Sequence, residues 1–245
     1  MREFECRIKL FHLSSGMSKV INHLFSDDKT QQNLMRARLL SNTPELIATK
    51  PDSEIKVEDI AALAEVSKAT FYKCFRSLED LLNVSAKQTG IELLKPINAV
   101  GSTISDIALR TATKTRIAIR LVTGLPLLGR LMLKTEWPFG DARHRGYQDI
   151  KKDIAAGIEQ GCFTDMPLEI GVNLVAGTLR VAVQEILNST QPEEYEAQVI
   201  YTLLLSLGVD QKKADKISKI PFDELPDLPK SGLIGKILTL VSSNP

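Results

Sequence analysis

Apolar residues recur along this chain at the three-and-four spacing of helices that bury one face. Val57, Ile60, Ala61 and Ala64 fall at i, i+3, i+4 and i+7. The period breaks at Glu65-Val66-Ser67, where Ser67 is placed to cap a second short helix on which Phe71 and Phe75, four apart, share a face. Ser77 caps a third helix, with Asp80 where its carboxylate can reach back. Leu78, Leu81, Leu82 and Ser85 form its inner stripe. Upstream, Leu34, Leu39, Leu40, Leu46 and Ile47 predict a helix over Thr30 to Thr49. Pro44 within it predicts a kink, or a restart with Thr43 as N-cap, because proline lacks a donor and crowds the preceding turn. Beyond Pro96, longer helices are expected near Ser105 to Val122, Gly146 to Gln160, Pro167 to Leu187 and Pro192 to Leu207, with a short piece from Gln211 to Lys219. Gly161 and Gly208 mark two of their ends. Pro221 to Pro229 reads as an irregular arm. The expected fold class is all-α.

Composition supports helices: 5% of the 245 residues are aromatic, and 43% hydrophobic against 25% charged is ordinary for a globular protein. The apolar stretch from Ile117 to Leu133 is interrupted by Arg120, Pro126 and Arg130, so no transmembrane helix is expected. The first residues lack the apolar run of a secretory signal, and the expected location is cytoplasmic. Cys6, Cys74 and Cys162 lie too far apart for a zinc knuckle and read as reduced thiols. Met17 is an alternative start. A net charge of +1 excludes a globally basic coat. Locally, however, SKATFYKCFRS carries Lys68, Lys73 and Arg76 without an acid, next to VEDIAALAE with Glu58, Asp59 and Glu65.

Two short helices joined by a tight turn, the second opening on a cap and a Lys, Thr and Tyr cluster, describe a helix-turn-helix. With Phe71 and Phe75 inward, Lys68, Ala69, Thr70, Tyr72 and Lys73 face out. Such side chains suit phosphate oxygens and base edges. The string VEDIAALAEVSKATFYKCFRSLEDLL closely resembles the signature of the TetR (tetracycline-repressor-like) family of transcriptional regulators. The resemblance covers roughly Arg36 to Leu94 well, and the rest in layout. It implies a supporting helix at Val57 to Ala64, a recognition helix at Ser67 to Phe75, and a link at Leu78 to Leu94 into a ligand-binding domain. On that basis Ser67, Lys68, Ala69, Thr70, Tyr72, Lys73 and Arg76 are the expected DNA contacts. The expected layout is an arm (1–29), a DNA-binding domain with linker helix (30–95), a ligand-binding and dimerisation domain (96–220) and a tail (221–245). This chain departs from the family pattern at four positions. Glu65 stands where Gly or a small polar residue is usual, Lys56 replaces a Ser or Thr cap, Leu78 replaces a phosphate-contacting Lys, and Pro44 interrupts the first helix.

Other chemistry finds little support. Gly124 to Arg130 has phosphate-loop glycine spacing but lacks the required Lys and Ser or Thr. His12, His23 and His144 are scattered, so no metal is expected. No G-x-S-x-G occurs; no enzyme activity and no cofactor are expected. Cys74 beside Lys73 and Arg76 is either a thiol of lowered pKa or a half-buried small hydrophobe. Met132, Trp137 and Tyr147 are candidates to line an inducer cavity, and Arg120, with Arg116 four residues before it, is a candidate for an acidic ligand. The helices at 167–187 and 192–207 carry more apolar surface than one inner face uses, which predicts a homodimer. A two-fold pair would read double-stranded DNA as a pseudo-palindromic operator. The expectation is therefore a regulator, of repressor type, responsive to a small-molecule effector. The competing reading is a helical interaction adaptor that keeps the fold without binding DNA.

Overall fold

The computed structural model describes residues 29–51, 54–135, 145–222 and 224–243, and within them it contains eleven helices and no strand. Helix α1 (29–49) runs through Pro44 without a restart. Thr43 is not a cap. It is fully buried, and its hydroxyl donates to the Leu39 carbonyl at 3.2 Å while accepting from Ser85 at 3.2 Å. Helices α2 (Val57–Leu63) and α3 (Lys68–Cys74) follow, then α4 (Leu78–Ser102). One core joins them, built from Leu39 and Leu46 of α1, Ile60 and Ala64 around α2, Phe71 and Phe75 around α3, and Leu81 of α4.

As read from the sequence, Ser77 caps α4: its hydroxyl accepts from the Asp80 amide at 3.1 Å, while the Asp80 carboxylate accepts from the Arg76 amide at 2.9 Å. The helix then continues through Pro96 to Ser102. The boundary expected at residue 95 thus falls inside a single rod of 25 residues, about 37 Å long at 1.5 Å per residue. Leu78, where the family carries a lysine, is half-buried and packs against both the head core and the body core.

The body comprises α5 (Ile107–Gly124), α6 (Pro126–Leu133), α7 (Arg145–Glu159), α8 (Leu168–Asn188), α9 (Tyr195–Ser206), α10 (Gln211–Ser218) and α11 (Gly232–Ser243). Helix α5 is the central post. Its Ile107, Ala108 and Ala112 enter one apolar cluster with Val175, Ile200 and Leu204. Its Ile117, Ile119, Leu121 and Val122 enter a second with Leu93, Leu131 and Val183. The segment with phosphate-loop spacing is a helix junction: α5 ends at Gly124, and Pro126 opens α6, where its missing N–H removes no helical bond. Gly161 and Gly208 stop their helices with φ of +66° and +87°, as their positions predict.

The C-terminal segment differs from the expected tail. Residues 224–229 are irregular, but α11 buries Leu233, Ile234 and Ile237. The Glu92 carboxylate of α4 accepts from the Leu233 and Ile234 amides at 3.2 and 2.9 Å, which seats the start of α11 on α4. Gly232, at φ +74°, admits this contact, because a Cβ there would stand 2.5 Å from the Glu92 carboxylate.

Helix α8 is, by length and composition, apolar enough to cross a membrane. It is nonetheless integrated into the body, burying Val172, Val175, Leu179 and Val183 among the neighbouring helices.

Candidate nucleic-acid interface and body cavity

Helix α3 is anchored from beneath and exposed above. Phe71 and Phe75 are buried with ring centroids 6.0 Å apart, and Tyr72 meets the Phe71 edge at 5.3 Å while staying 53% exposed. At its start the Ser67 hydroxyl accepts from the Thr70 amide at 3.0 Å, and the two hydroxyls lie 2.8 Å apart. Ser67, Lys68, Ala69, Tyr72, Lys73 and Arg76 are exposed and Thr70 is half-exposed, so each predicted contact residue reaches the surface on or beside α3. Helix α1 holds the other end. The Gln32 amide donates to the Lys73 carbonyl at 2.6 Å and Arg36 to the Cys74 carbonyl at 2.5 Å, with the Arg36 guanidinium 4.2 Å from the Phe75 ring centre. A cation over the last carbonyls of a helix complements its dipole. The sequence reading missed this pair. Its signal was two long polar donors four apart on a helix whose other face is apolar.

The face is less simply basic than the sequence suggests. Lys68 makes an exposed ion pair with Glu58 of α2; the bond raises the lysine pKa and lowers that of Glu58. Where Lys56 replaces the usual cap, Asp59 compensates by accepting from the Lys56 amide at 2.8 Å and from Lys50 at 2.6 Å. Those bonds hold its carboxyl below the usual range. Glu65 has φ +52°, the left-handed conformation that costs a side chain most, and pairs with Arg38 at 2.8 Å. Cys74 is buried and its thiol pKa is raised by that burial, with Arg36 opposing; Lys73 and Arg76 do not lower it. The reading of a lowered thiol pKa is therefore corrected to that of a small buried hydrophobe.

In the body, a cavity of about 90 Å³ opens between α4, α5, α7 and α8. Its walls are apolar at Leu93, Ile97, Ala118 and Leu179, with Thr111, Lys114, Asp149 and Asp153 as polar lining. Neither of the described residues Met132 and Tyr147, expected to line an inducer cavity, is brought to it. Met132 is fully buried in core packing, Tyr147 lies on α7 beside the lining residue Gly146 without itself lining the cavity, and Trp137 lies outside the described residues.

Arg116 and Arg120 are cross-ties. Both pair with Glu196 of α9, at 2.8 and 2.6 Å. Arg116 also donates to the Ser218 and Ile220 carbonyls at 2.7 and 2.8 Å, and Arg120 donates to the Phe222 carbonyl. Their four-residue spacing served an acid within the chain, which sequence alone did not distinguish from an acidic ligand.

An all-helical body carrying an exposed, basic-flanked second helix of a helix-turn-helix defines a DNA-binding regulator. Residues 39–84 match the family model for bacterial regulatory proteins of the tetR family. The match covers the helix-turn-helix head, which is therefore similar to the DNA-binding domain of that family. No curated protein sequence matches it. Among solved structures, RolR in complex with resorcinol is similar at a TM-score of 0.64 and 20% identity, covering 80% of this chain and 99% of its own. A TetR family transcription regulator from Marinobacter aquaeolei is similar at 0.53 and 16%, covering 73% and 98%. FadR from Bacillus subtilis in complex with stearoyl-CoA is similar at 0.50 and 16%, covering 69% and 96%.

Proposed function

We propose that the protein is a homodimeric repressor that reads a pseudo-palindromic operator with the exposed face of α3 and releases it when a small molecule occupies the body cavity. The observation that carries the reading is the face of α3 itself. Ser67, Lys68, Ala69, Thr70, Tyr72, Lys73 and Arg76 are presented together on a helix clamped from below by two phenylalanines and at its end by Gln32 and Arg36. In this reading Lys68 exchanges Glu58 for a phosphate on binding. A gel shift against the promoters of its own and neighbouring genes tests the assignment. Replacing Lys68 and Lys73 together by Ala weakens binding by at least about tenfold and flattens its salt dependence, because each neutralised phosphate contributes about 0.9 to the slope. Unchanged affinity and slope would place DNA contact elsewhere and favour the adaptor reading.

The dimer is assigned to the outer faces of α8 and α9. Ile170 and Val181 of α8 and Leu205 of α9 are 51, 57 and 38% exposed, and a shallow groove between the helices is lined by Gly177, Val181, Tyr195 and Val199. Gly177 and Ala182 are the small residues that line this groove and suit close helix approach. Ala176 is buried, and Gly171 admits Ile154 of α7 within the protomer. Light scattering giving twice 27.1 kDa supports the interface; a monomer mass overturns it and the palindromic operator with it.

The structures of RolR and FadR hold resorcinol and stearoyl-CoA, so ligands of very different size are found on this fold. For this chain the effector reading rests on the cavity between α4, α5, α7 and α8, and its dimensions and lining discriminate among ligands.

A further inference from the structure

Among the described residues, Thr111 is the threonine whose fully buried hydroxyl has no partner. Thr89, Thr115 and Thr123 each donate their hydroxyl to the carbonyl four residues earlier, at 2.7, 2.8 and 2.9 Å, the usual resting place of a helical threonine. Thr111, one turn before Thr115 on α5, does not. It is 5% exposed, its Oγ1 has no partner, and it lines the body cavity. A buried hydroxyl without a partner is a standing cost, and on a residue that lines a cavity it is relieved only by an occupant whose own polar group reaches it.

The other polar groups of the cavity set the charge of its occupant. Lys114 is bound to Asp153 at 2.6 Å, and Arg110 stands 3.6 Å from the same carboxylate. Asp149 receives the Asn98 amide at 2.8 Å. Among the described residues the lining therefore presents two carboxylates and one already engaged ammonium, so from these an anionic ligand meets repulsion and no uncommitted cation. A ligand hydroxyl proton, by contrast, finds acceptors in Asp149 and Thr111. Volume supplies the second restriction. At about 90 Å³ the cavity is smaller than the ~150 Å³ one known to hold benzene, so a single ring is the most it takes and only with some widening. It is far below the roughly 300–1,000 Å³ of sites for drug-sized molecules.

We infer that the effector is a compact, uncharged molecule of about one ring carrying at least one hydroxyl, bound with its apolar body against Leu93, Ile97, Ala118 and Leu179 and its hydroxyl at Thr111. This rests on the reading of the cavity as the effector site. Excluded are carboxylates of the same size and long acyl chains.

Phenol, toluene, benzoate and decanoate serve as probes, with binding measured by calorimetry on the full-length protein and its Thr111→Val variant. Valine keeps the shape and removes the hydroxyl. Phenol binds more tightly than toluene, benzoate and decanoate, and in Thr111→Val its advantage over toluene falls by about tenfold or more while the fold is retained, as thermal unfolding reports. The inference is overturned by tighter binding of benzoate or decanoate, by phenol failing to bind, or by a phenol-to-toluene ratio unchanged in the variant. A gel shift on the same preparations separates the two levels. Protein that binds operator but ignores phenol loses only the ligand class, whereas protein that binds phenol but no DNA loses the regulator reading.

Discussion

The head and the body of this molecule use charge in opposite ways. In the head, two ion pairs lie at the surface: the side chains of Lys68 and Glu58 are 56 and 59% exposed, and those of Arg38 and Glu65 are 46 and 80% exposed. In the body, Arg116 and Glu196 are 5 and 19% exposed, and Lys114 and Asp153 are 15 and 14% exposed. Exposed pairs are weak and screened by salt, so their members can change partners. Buried pairs are held by geometry, and removing one partner strands the other. The charge of Lys68 is thus available to a polyanion, while that of Arg116 and Lys114 fixes helices against each other.

The sharpest test of this contrast is Arg116→Ala. Loss of its ion pair and of two carbonyl contacts destabilises the fold by about 3 kcal/mol in denaturant unfolding. The folded fraction keeps its operator affinity. Intact stability with lost effector response would instead return Arg116 to ligand chemistry. Smaller is the effect of Glu65→Gly in the head. Relief of the left-handed conformation raises stability by roughly 0.5 to 1 kcal/mol, little offset by losing the exposed Arg38 pair. A loss of stability on this change would mean that the Arg38 contact outweighs the strain.

Acid titration separates the regions next. Asp106 caps α5 through the Leu109 amide at 3.0 Å and pairs with Lys213 of α10 at 2.8 Å. Burial raises its pKa, but the bonds from Lys213 and the backbone outweigh this and leave it below the ordinary 3.8. A depressed carboxyl stabilises the fold at pH above its unfolded value and loses that contribution as pH falls through the folded one. Asp106→Asn therefore lowers stability at neutral pH and converges with the parent protein below the carboxylate range. Parallel curves at all pH values would rule out this source. The smallest expected effect is Glu58→Gln. Freed of its partner, Lys68 meets phosphate at less cost, and operator affinity rises by between about 1.5- and 5-fold at low salt. Weaker binding would show that Glu58 positions Lys68 instead of competing for it.

Much of the head was legible because its signals are local. The cap at Ser67, the Phe71 and Phe75 stripe and the break at Glu65 all act within a few residues, and the structure places each as read. Misreadings arose where a distant partner decided the outcome. Pro44 stops nothing in a helix whose Leu39, Leu46 and Ile47 are held by the core. Arg120 pointed to an acid, but the acid is Glu196, 76 residues on. Helix α11 was missed because residues 230–243 follow a proline-rich stretch, and their role depends on a face of α4 that no local pattern reveals. Thr111 carries no mark in sequence at all. It stands out only against the hydrogen bonds of its fellow threonines.

The seating of α11 on Glu92 has a consequence for synthesis on the ribosome. The carboxylate and the amides it receives are separated by 141 and 142 residues, so they meet only after α11 itself has emerged. At about 5–20 residues per second, α4 waits several seconds with its outer flank uncovered. Ile234 and Ile237 complete that surface last, as a closing clasp. Nascent chains stalled or clipped just short of residue 232 would therefore show an apolar strip of α4 to chaperones and proteases.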